Sequence, residues 1–78
     1  MDRFKVEQAV LKILSAMLKC EVDLNSSRRN TPQWDSLKHI EVVFALEEDL
    51  GLEFTEDEMA KMDNVTKIVE VVLRHNAS

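Results

Sequence analysis

The stretch DSLKHIEVVFALEEDLGLEF, residues 35–54, predicts an amphipathic helix with a defined start and stop. The helix begins at Asp35 or Ser36, because both residue types are favoured N-caps. It ends at Leu50, because Gly51 can adopt the left-handed conformation that closes helices without a Cβ penalty. The stripe expected to face a core comprises Leu37, Ile40, Val43, Phe44 and Leu46 or Leu50.

Three more helices are predicted from spacing and capping patterns. Residues 2–19 carry apolar side chains three and four apart, and the capping-box pattern TEDE at 55–58 starts a short helix at about 56–61. A last helix follows Asp63 or Asn64, while the polar residues 25–33 form a loop. The sequence therefore predicts an all-α fold: a small four-helix bundle of three longer helices and one short one, with a long loop between the first and second helices.

Length and composition limit the classes of protein. The 78 residues are expected to form a single domain, 1–78. No run approaches the roughly 20 apolar residues that span a bilayer, and the N-terminus lacks a signal-peptide pattern, so we expect no membrane insertion. Cys20 is the only cysteine and fits a reducing cytoplasm, where we expect it to act as a small apolar side chain.

Charge is concentrated in the middle of the chain. Residues 35–61 carry nine acidic side chains against two basic ones, whereas residues 1–34 carry four against six. This balance disfavours nucleic acid as a partner and favours proteins with basic surfaces. Glu47, Glu48 and Asp49 lie in the last helical turn, where the negative end of the helix dipole disfavours anions. Repeated placement of acids there indicates a docking surface.

Neither catalysis nor metal binding is predicted. His39 lies three residues after Ser36, but no oxyanion-hole motif or nucleophile elbow accompanies the pair, so a small hydrolase is a weak alternative. Two distant histidines and one cysteine form no metal-ligand spacing. Ser36 itself has two interpretations from the residues alone. It is either a helix cap worth about 1 kcal/mol or an acceptor for a phosphate ester at the positive end of the helix dipole.

The stretch 35–54 closely resembles the signature of the acyl carrier protein family. The similarity comprises Asp-Ser-Leu opening a helix, then the register of Glu41, Phe44, Ala45, Leu46, Glu47, Glu48 and Gly51. It extends over nearly the whole chain, through the amphipathic first helix, the long loop, TEDEMAKM and NVTKIVEVV. Asp-Ser-Leu alone would be weak evidence, whereas the combination is specific.

The resemblance implies a non-enzymatic carrier in which Ser36 bears 4′-phosphopantetheine through a phosphodiester. A separate phosphopantetheinyl transferase would add the group from coenzyme A in a magnesium-dependent reaction, and its thiol would hold acyl groups as thioesters for enzymes of fatty-acid, lipid or polyketide synthesis. Asp35 would orient the attachment loop and Leu37 would lie beside the arm. The acyl chain would lie among apolar side chains, namely Ile40, Val43, Leu46, Phe54, Ala60, Met62 and Ile68 or their neighbours.

The second helix would be the surface that partner enzymes bind, and we expect the protein to be a monomer. The predicted docking residues are Lys38, Glu41, Phe44, Glu47, Glu48 and Asp49. Trp34, Lys38 and the Arg28-Arg29 pair depart from the usual family pattern, which points to a specialised, pathway-dedicated carrier. Trp34 and Lys38 are the expected determinants of partner choice. The alternatives are an aminoacyl or peptidyl carrier of the same fold and an unmodified helical interaction module.

Overall fold

The structure is a computed structural model that describes the backbone of residues 2–77 and the side chains of residues 2–75. Its helices are α1 (Arg3–Leu18), α2 (Ser36–Leu50), α3 (Glu56–Lys61) and α4 (Val65–Ala77). The predicted all-α bundle of three longer helices and one short one is confirmed. So is the long connection between α1 and α2.

Local capping signals fix the ends of the helices as the sequence predicts. Gly51 adopts φ 66° and closes α2, and the side chains of Thr55 and Glu58 form the predicted capping box at the start of α3. Of the two candidates for the start of α4, Asn64 is the residue whose side chain accepts a hydrogen bond, from the Lys67 N–H at 2.8 Å. These caps involve residues within four positions of one another and are therefore readable from sequence.

One hydrophobic core joins the helices. Helix α1 packs against both α2 and α4, and α3 contacts α4. The apolar stripe of α1 is buried except for Leu11 and Met17, which are partly buried at the edge of the core. The apolar stripe of α4 is fully buried, namely Val65, Ile68, Val69 and Val72. The buried apolar side chains are Val6, Val10, Ile13, Leu14, Leu18, Trp34, Val42, Val43, Leu46, Phe54, Met62, Val65, Ile68, Val69, Val71 and Val72.

The predicted core-facing stripe of α2 is only partly correct, because Val43 and Leu46 are buried but the other large side chains are not. Leu37, Ile40 and Phe44 are 68%, 53% and 59% exposed, respectively. The helix instead buries an arc made of His39, Val42, Val43 and Leu46. Apolar residues occur on almost every side of this helix, so their spacing does not select a single face. Two adjacent valines and a hydrogen-bonded histidine take the core-facing positions, and three large apolar side chains remain outside.

The α1–α2 loop is attached to the junction between α3 and α4 by backbone hydrogen bonds. Arg28 N–H donates to the Asp63 carbonyl at 2.9 Å, and Val65 N–H donates to the Ser26 carbonyl at 3.0 Å. Ser27 and Asn64 form an isolated antiparallel bridge between these bonds. The loop therefore has a fixed position even though it contains no helix.

Helix α3 is linked to α4 through Glu58 and His75. The His75 Nε2 lies 3.0 Å from a Glu58 carboxylate oxygen, and the His75 ring meets the Phe54 ring edge to face at 5.4 Å. The hydrogen bond from the Thr55 backbone N–H, followed by the contact with His75, holds the pKa of Glu58 below its ordinary value. The same carboxylate therefore caps α3 and ties it to α4.

Candidate functional site

Asp35, not Ser36, caps α2. The Asp35 backbone is extended, and its carboxylate accepts a hydrogen bond from the Lys38 N–H at 2.9 Å. Ser36 is the first residue of the helix and is exposed. Because Asp35 performs the capping, the Ser36 hydroxyl is not required for it. The capping interpretation of Ser36 therefore does not apply, because Asp35 is the cap. The Ser36 hydroxyl lies at the surface.

The Ser36 hydroxyl accepts a hydrogen bond from the α1–α2 loop. The Nη2 atom of Arg28 lies 3.1 Å from Ser36 Oγ. Sequence reasoning noted Arg28 only as an unusual residue in an acidic chain. The contact itself spans eight residues of irregular loop, and no periodic pattern predicts which side chain such a loop directs towards the helix.

Trp34 is a core residue, so any influence of its side chain on partner choice acts through the way it holds the chain before Ser36. The indole is 2% exposed, and its Nε1–H donates to His39 Nδ1 at 3.0 Å. The other ring nitrogen of His39, Nε2, lies 2.9 Å from the Met59 carbonyl oxygen. An indole N–H only donates and a carbonyl only accepts, so His39 is the neutral tautomer with its proton on Nε2. The chain just before Ser36 is therefore tied through α2 to α3.

An apolar cleft of about 450 Å³ lies between α2 and α3. Its walls are formed by His39, Ile40, Val43, Phe44, Glu56, Met59 and Ala60. Ile40, Val43 and Ala60 were predicted for such a site. Leu46, Phe54, Met62 and Ile68 were also predicted, but they belong to the packed core and do not line the cleft. Sequence reasoning missed Met59 and the cleft-lining role of His39.

Ser36 and the α2 wall of this cleft share one flank of the helix. Ile40 and Val43 follow Ser36 by four and seven residues, which brings all three to the same side of an α-helix. The exposed hydroxyl therefore lies one helical turn before the cleft wall. A group attached to Ser36 could run along this flank without crossing the helix.

The outer face of α2 combines exposed apolar and acidic side chains. Leu37 and Phe44 are exposed, and so are Glu48 and Asp49. Glu41 is half-buried, and its carboxylate lies 3.5 Å from Lys38 Nζ. Leu37, Glu41, Phe44 and Glu48 are spaced four, three and four residues apart and therefore lie along one side of α2. Asp49 lies away from them, at the groove between α2 and α1.

Glu47 has a structural contact that sequence reasoning missed. It is half-buried, and its carboxylate accepts the Phe54 N–H at 2.8 Å. Its backbone carbonyl also accepts the N–H groups of Gly51 and Leu52. Glu47 thus closes α2 and anchors the following loop, so one of the three acids in the last turn has a local structural explanation.

Three further features concern metal binding, membrane spanning and the single cysteine. Among the described residues, no cluster of three or more histidine, cysteine, aspartate or glutamate side chains is arranged to hold a metal ion. Within residues 2–77, no helix has both the length and the apolar character required to cross a membrane. Cys20 is a free thiol, partly buried against the core.

Comparison with known proteins identifies the family. The chain is 31% identical over 81 residues to the acyl carrier protein of Rubrobacter xylanophilus, with both chains covered completely. It is 29% identical over 68 residues to acyl carrier protein 2 of Pseudomonas aeruginosa, covering 83% of this chain and 86% of that one. It is also 30% identical over 78 residues to acyl carrier protein 2, mitochondrial, of Arabidopsis thaliana, covering 96% and 62%, respectively. No family model matches the sequence.

An exposed serine thus lies at the start of α2, on the flank that leads to an apolar cleft. Given the similarity over its full length, the chain belongs to the acyl carrier protein family, which is named for carrying acyl groups.

Proposed function

We propose that the protein carries acyl groups as thioesters on a 4′-phosphopantetheine arm attached to Ser36. The observation that carries the proposal is that two different residues at the start of α2 provide the cap and the exposed hydroxyl. Asp35 provides the cap, which leaves the Ser36 hydroxyl exposed at the helix start. On this proposal the 78 residues act as one cytoplasmic carrier domain, monomeric and without catalytic activity of its own.

The residues around Ser36 fit such a group. Attachment replaces the Oγ–H bond with an Oγ–P bond, and coenzyme A releases adenosine 3′,5′-bisphosphate. The positive end of the α2 dipole and the Arg28 guanidinium both favour the resulting negative charge. The terminal thiol of the arm supplies the thioester chemistry.

The cleft between α2 and α3 is the proposed site for the acyl chain. Its volume of about 450 Å³ lies in the range of small-molecule sites. Ile40, Val43 and Met59 provide apolar surface, and the cleft lies on the flank of α2 that begins at Ser36. Burying a methylene group there would stabilise the loaded carrier by about 0.8 kcal/mol.

The outer face of α2 is the proposed docking surface for partner enzymes. The transferase and the acyl-processing enzymes are expected to present basic side chains to Glu41, Glu48 and Asp49. Leu37 and Phe44 supply exposed apolar area among these carboxylates, and Phe44 is the proposed apolar anchor of the contact. Lys38 lies beside Glu41 and locally offsets its charge, so it is proposed to adjust partner choice.

Mass spectrometry of the intact protein tests the attachment. The apo protein is incubated with coenzyme A, magnesium and a promiscuous phosphopantetheinyl transferase. We expect the mass to rise by one phosphopantetheinyl group, and Ser36→Ala to prevent the change. Ser15→Ala is the matched control because it removes a hydroxyl from α1 and should leave modification intact. A folded wild-type protein that stays unmodified would contradict the proposal.

A further inference from the structure

Arg28 is the one arginine whose side chain contacts the proposed attachment residue. Its Nη2 donates to Ser36 Oγ at 3.1 Å. Within the described part of the chain, Arg28 takes part in none of the ion pairs, which join Arg3 to Glu7, Lys38 to Glu41, Lys67 to Glu70 and His75 to Glu58. In a protein of net charge −5, this guanidinium is directed at a serine hydroxyl, and no carboxylate of the described residues pairs with it.

The position of Arg28 is determined by the fold. Its backbone N–H donates to the Asp63 carbonyl, and the adjacent Ser27 bridges to Asn64 at the start of α4. The Asn30 side chain accepts the Ser27 N–H at 2.8 Å and so closes the turn that contains Arg28. Because the side chain is also half-buried, the guanidinium loses less freedom on binding than a fully exposed arginine would.

We propose that Arg28 binds the phosphodiester of the Ser36-linked arm and fixes the direction in which the arm leaves the protein. This proposal rests on the attachment proposed above. The phosphorus would be bonded to the oxygen atom that Arg28 already contacts, so the non-bridging oxygens lie within reach of the same fork of N–H donors. A planar guanidinium matches two phosphate oxygens at once, which a lysine ammonium cannot do.

Charge gives this interaction a second consequence. The phosphodiester adds a negative charge to residues 35–61, which already carry nine acidic side chains against two basic ones. Arg28 comes from outside that segment and offsets the added charge at its point of attachment. The effect of modification on the stability of the folded protein should therefore be more favourable in wild type than in a variant that lacks Arg28.

Phosphorus NMR of the modified protein tests the inference directly. Holo wild type is compared with holo Arg28→Gln and, as a matched control, holo Arg29→Gln. Arg29 is the exposed neighbour, so its replacement removes the same charge one residue away. We expect the ³¹P resonance of the phosphodiester to move in Arg28→Gln and to stay at the wild-type position in Arg29→Gln. Added salt should move the wild-type resonance towards that of Arg28→Gln.

Thermal unfolding provides an independent readout. The difference in Tm between holo and apo forms should be about 1–5 °C larger in wild type than in Arg28→Gln at low salt. Arg29→Gln should behave as wild type. Arg28→Lys retains the positive charge but not the planar set of N–H donors. Its ³¹P resonance should lie between those of wild type and Arg28→Gln.

The outcomes separate this inference from the proposed function. If the mass of the protein does not change on treatment with transferase, the attachment itself fails and the role of Arg28 fails with it. If all the holo proteins form and share one ³¹P position and one holo–apo Tm difference, attachment stands and the role of Arg28 is overturned. A lysine variant indistinguishable from wild type would overturn the requirement for the guanidinium fork.

Discussion

Replacing His39 by leucine is predicted to destabilise the protein because it leaves the buried Trp34 N–H without an acceptor. His39 joins Trp34 to the Met59 carbonyl, with distances of 3.0 Å and 2.9 Å. Leucine has a similar volume and supplies neither nitrogen. The substitution therefore leaves the Trp34 Nε1–H without its acceptor at a site where the indole is 2% exposed. Met59 is less affected, because its carbonyl still accepts the Met62 N–H at 3.3 Å.

The magnitude follows from these contacts. A buried donor left unpaired costs about 1–3 kcal/mol, and the bond to the Met59 carbonyl contributes about 0.5–1.5 kcal/mol. The greater apolar character of leucine offsets about 1 kcal/mol of this loss. The free energy of unfolding should fall by about 1–3 kcal/mol. In a domain of this size each kcal/mol lowers Tm by about 4–8 °C.

A double-mutant cycle measured by urea unfolding isolates the Trp34–His39 pair. Trp34→Phe removes the donor, and the double variant removes donor and acceptor together. Each single variant leaves one polar group unpaired, whereas the double variant leaves neither. The double variant should therefore be more stable than the sum of the single effects implies, by about 1–2 kcal/mol. Trp34→Phe combined with Ser15→Ala on α1 serves as the additive control.

Nitrogen NMR checks the same geometry without a mutation. The ¹⁵N shifts and couplings of His39 should show the proton on Nε2 and a bare Nδ1 that accepts from the indole. Strict additivity of the two substitutions, or a proton found on Nδ1, would refute this account of how the segment before Ser36 is held.

Three further predictions concern the cap, the α3–α4 link and the docking face. Asp35→Ala should lower the free energy of unfolding by about 1 kcal/mol in urea, because it removes the acceptor of the Lys38 N–H; equal stability would contradict its capping role. The folded-state pKa of Glu58 lies below its ordinary value of 4.5, so its contribution to stability is present above that pH and is lost as pH falls through the lower folded value. The stability difference between wild type and Glu58→Gln should accordingly shrink on acidification, and a difference independent of pH would argue against it. Glu48→Lys should slow modification by the transferase by about 10-fold or less at low salt, an effect that high salt removes, whereas Glu53→Lys in the exposed loop should have little effect.

The helix boundaries could be predicted because their signals are local. Gly51 ends α2 and the Thr55–Glu58 box starts α3 through contacts between residues at most four positions apart. The contacts that arrange the candidate site join residues farther apart in the sequence. Arg28 meets Ser36 across an irregular loop, and His39 meets Met59 across twenty residues. Sequence periodicity carries no information about such pairs, because they depend on how whole elements pack.

The orientation of α2 could not be predicted for a different reason. The helix carries apolar residues on its inner and outer sides, so counting hydrophobic spacing allows several rotations. The spacing of apolar residues gives no sign that His39 is buried, yet it is among the buried residues because two hydrogen bonds satisfy its ring. A polar residue with a full set of partners is compatible with a core position, and those partners are visible only in the fold.

The exposed side of α2 supports the docking role proposed for it. Leu37, Ile40 and Phe44 are all more than half exposed, although polar residues there would cost the core nothing. Ile40 and Phe44 line the cleft, and Leu37 follows Ser36 directly. Glu48, in the last turn, opposes the helix dipole, and within the described part of the chain it makes no contact like that of the Glu47 carboxylate with the Phe54 N–H. These features lie on the helix that begins at Ser36, and they support the proposed roles of that helix in holding cargo and in binding partner enzymes.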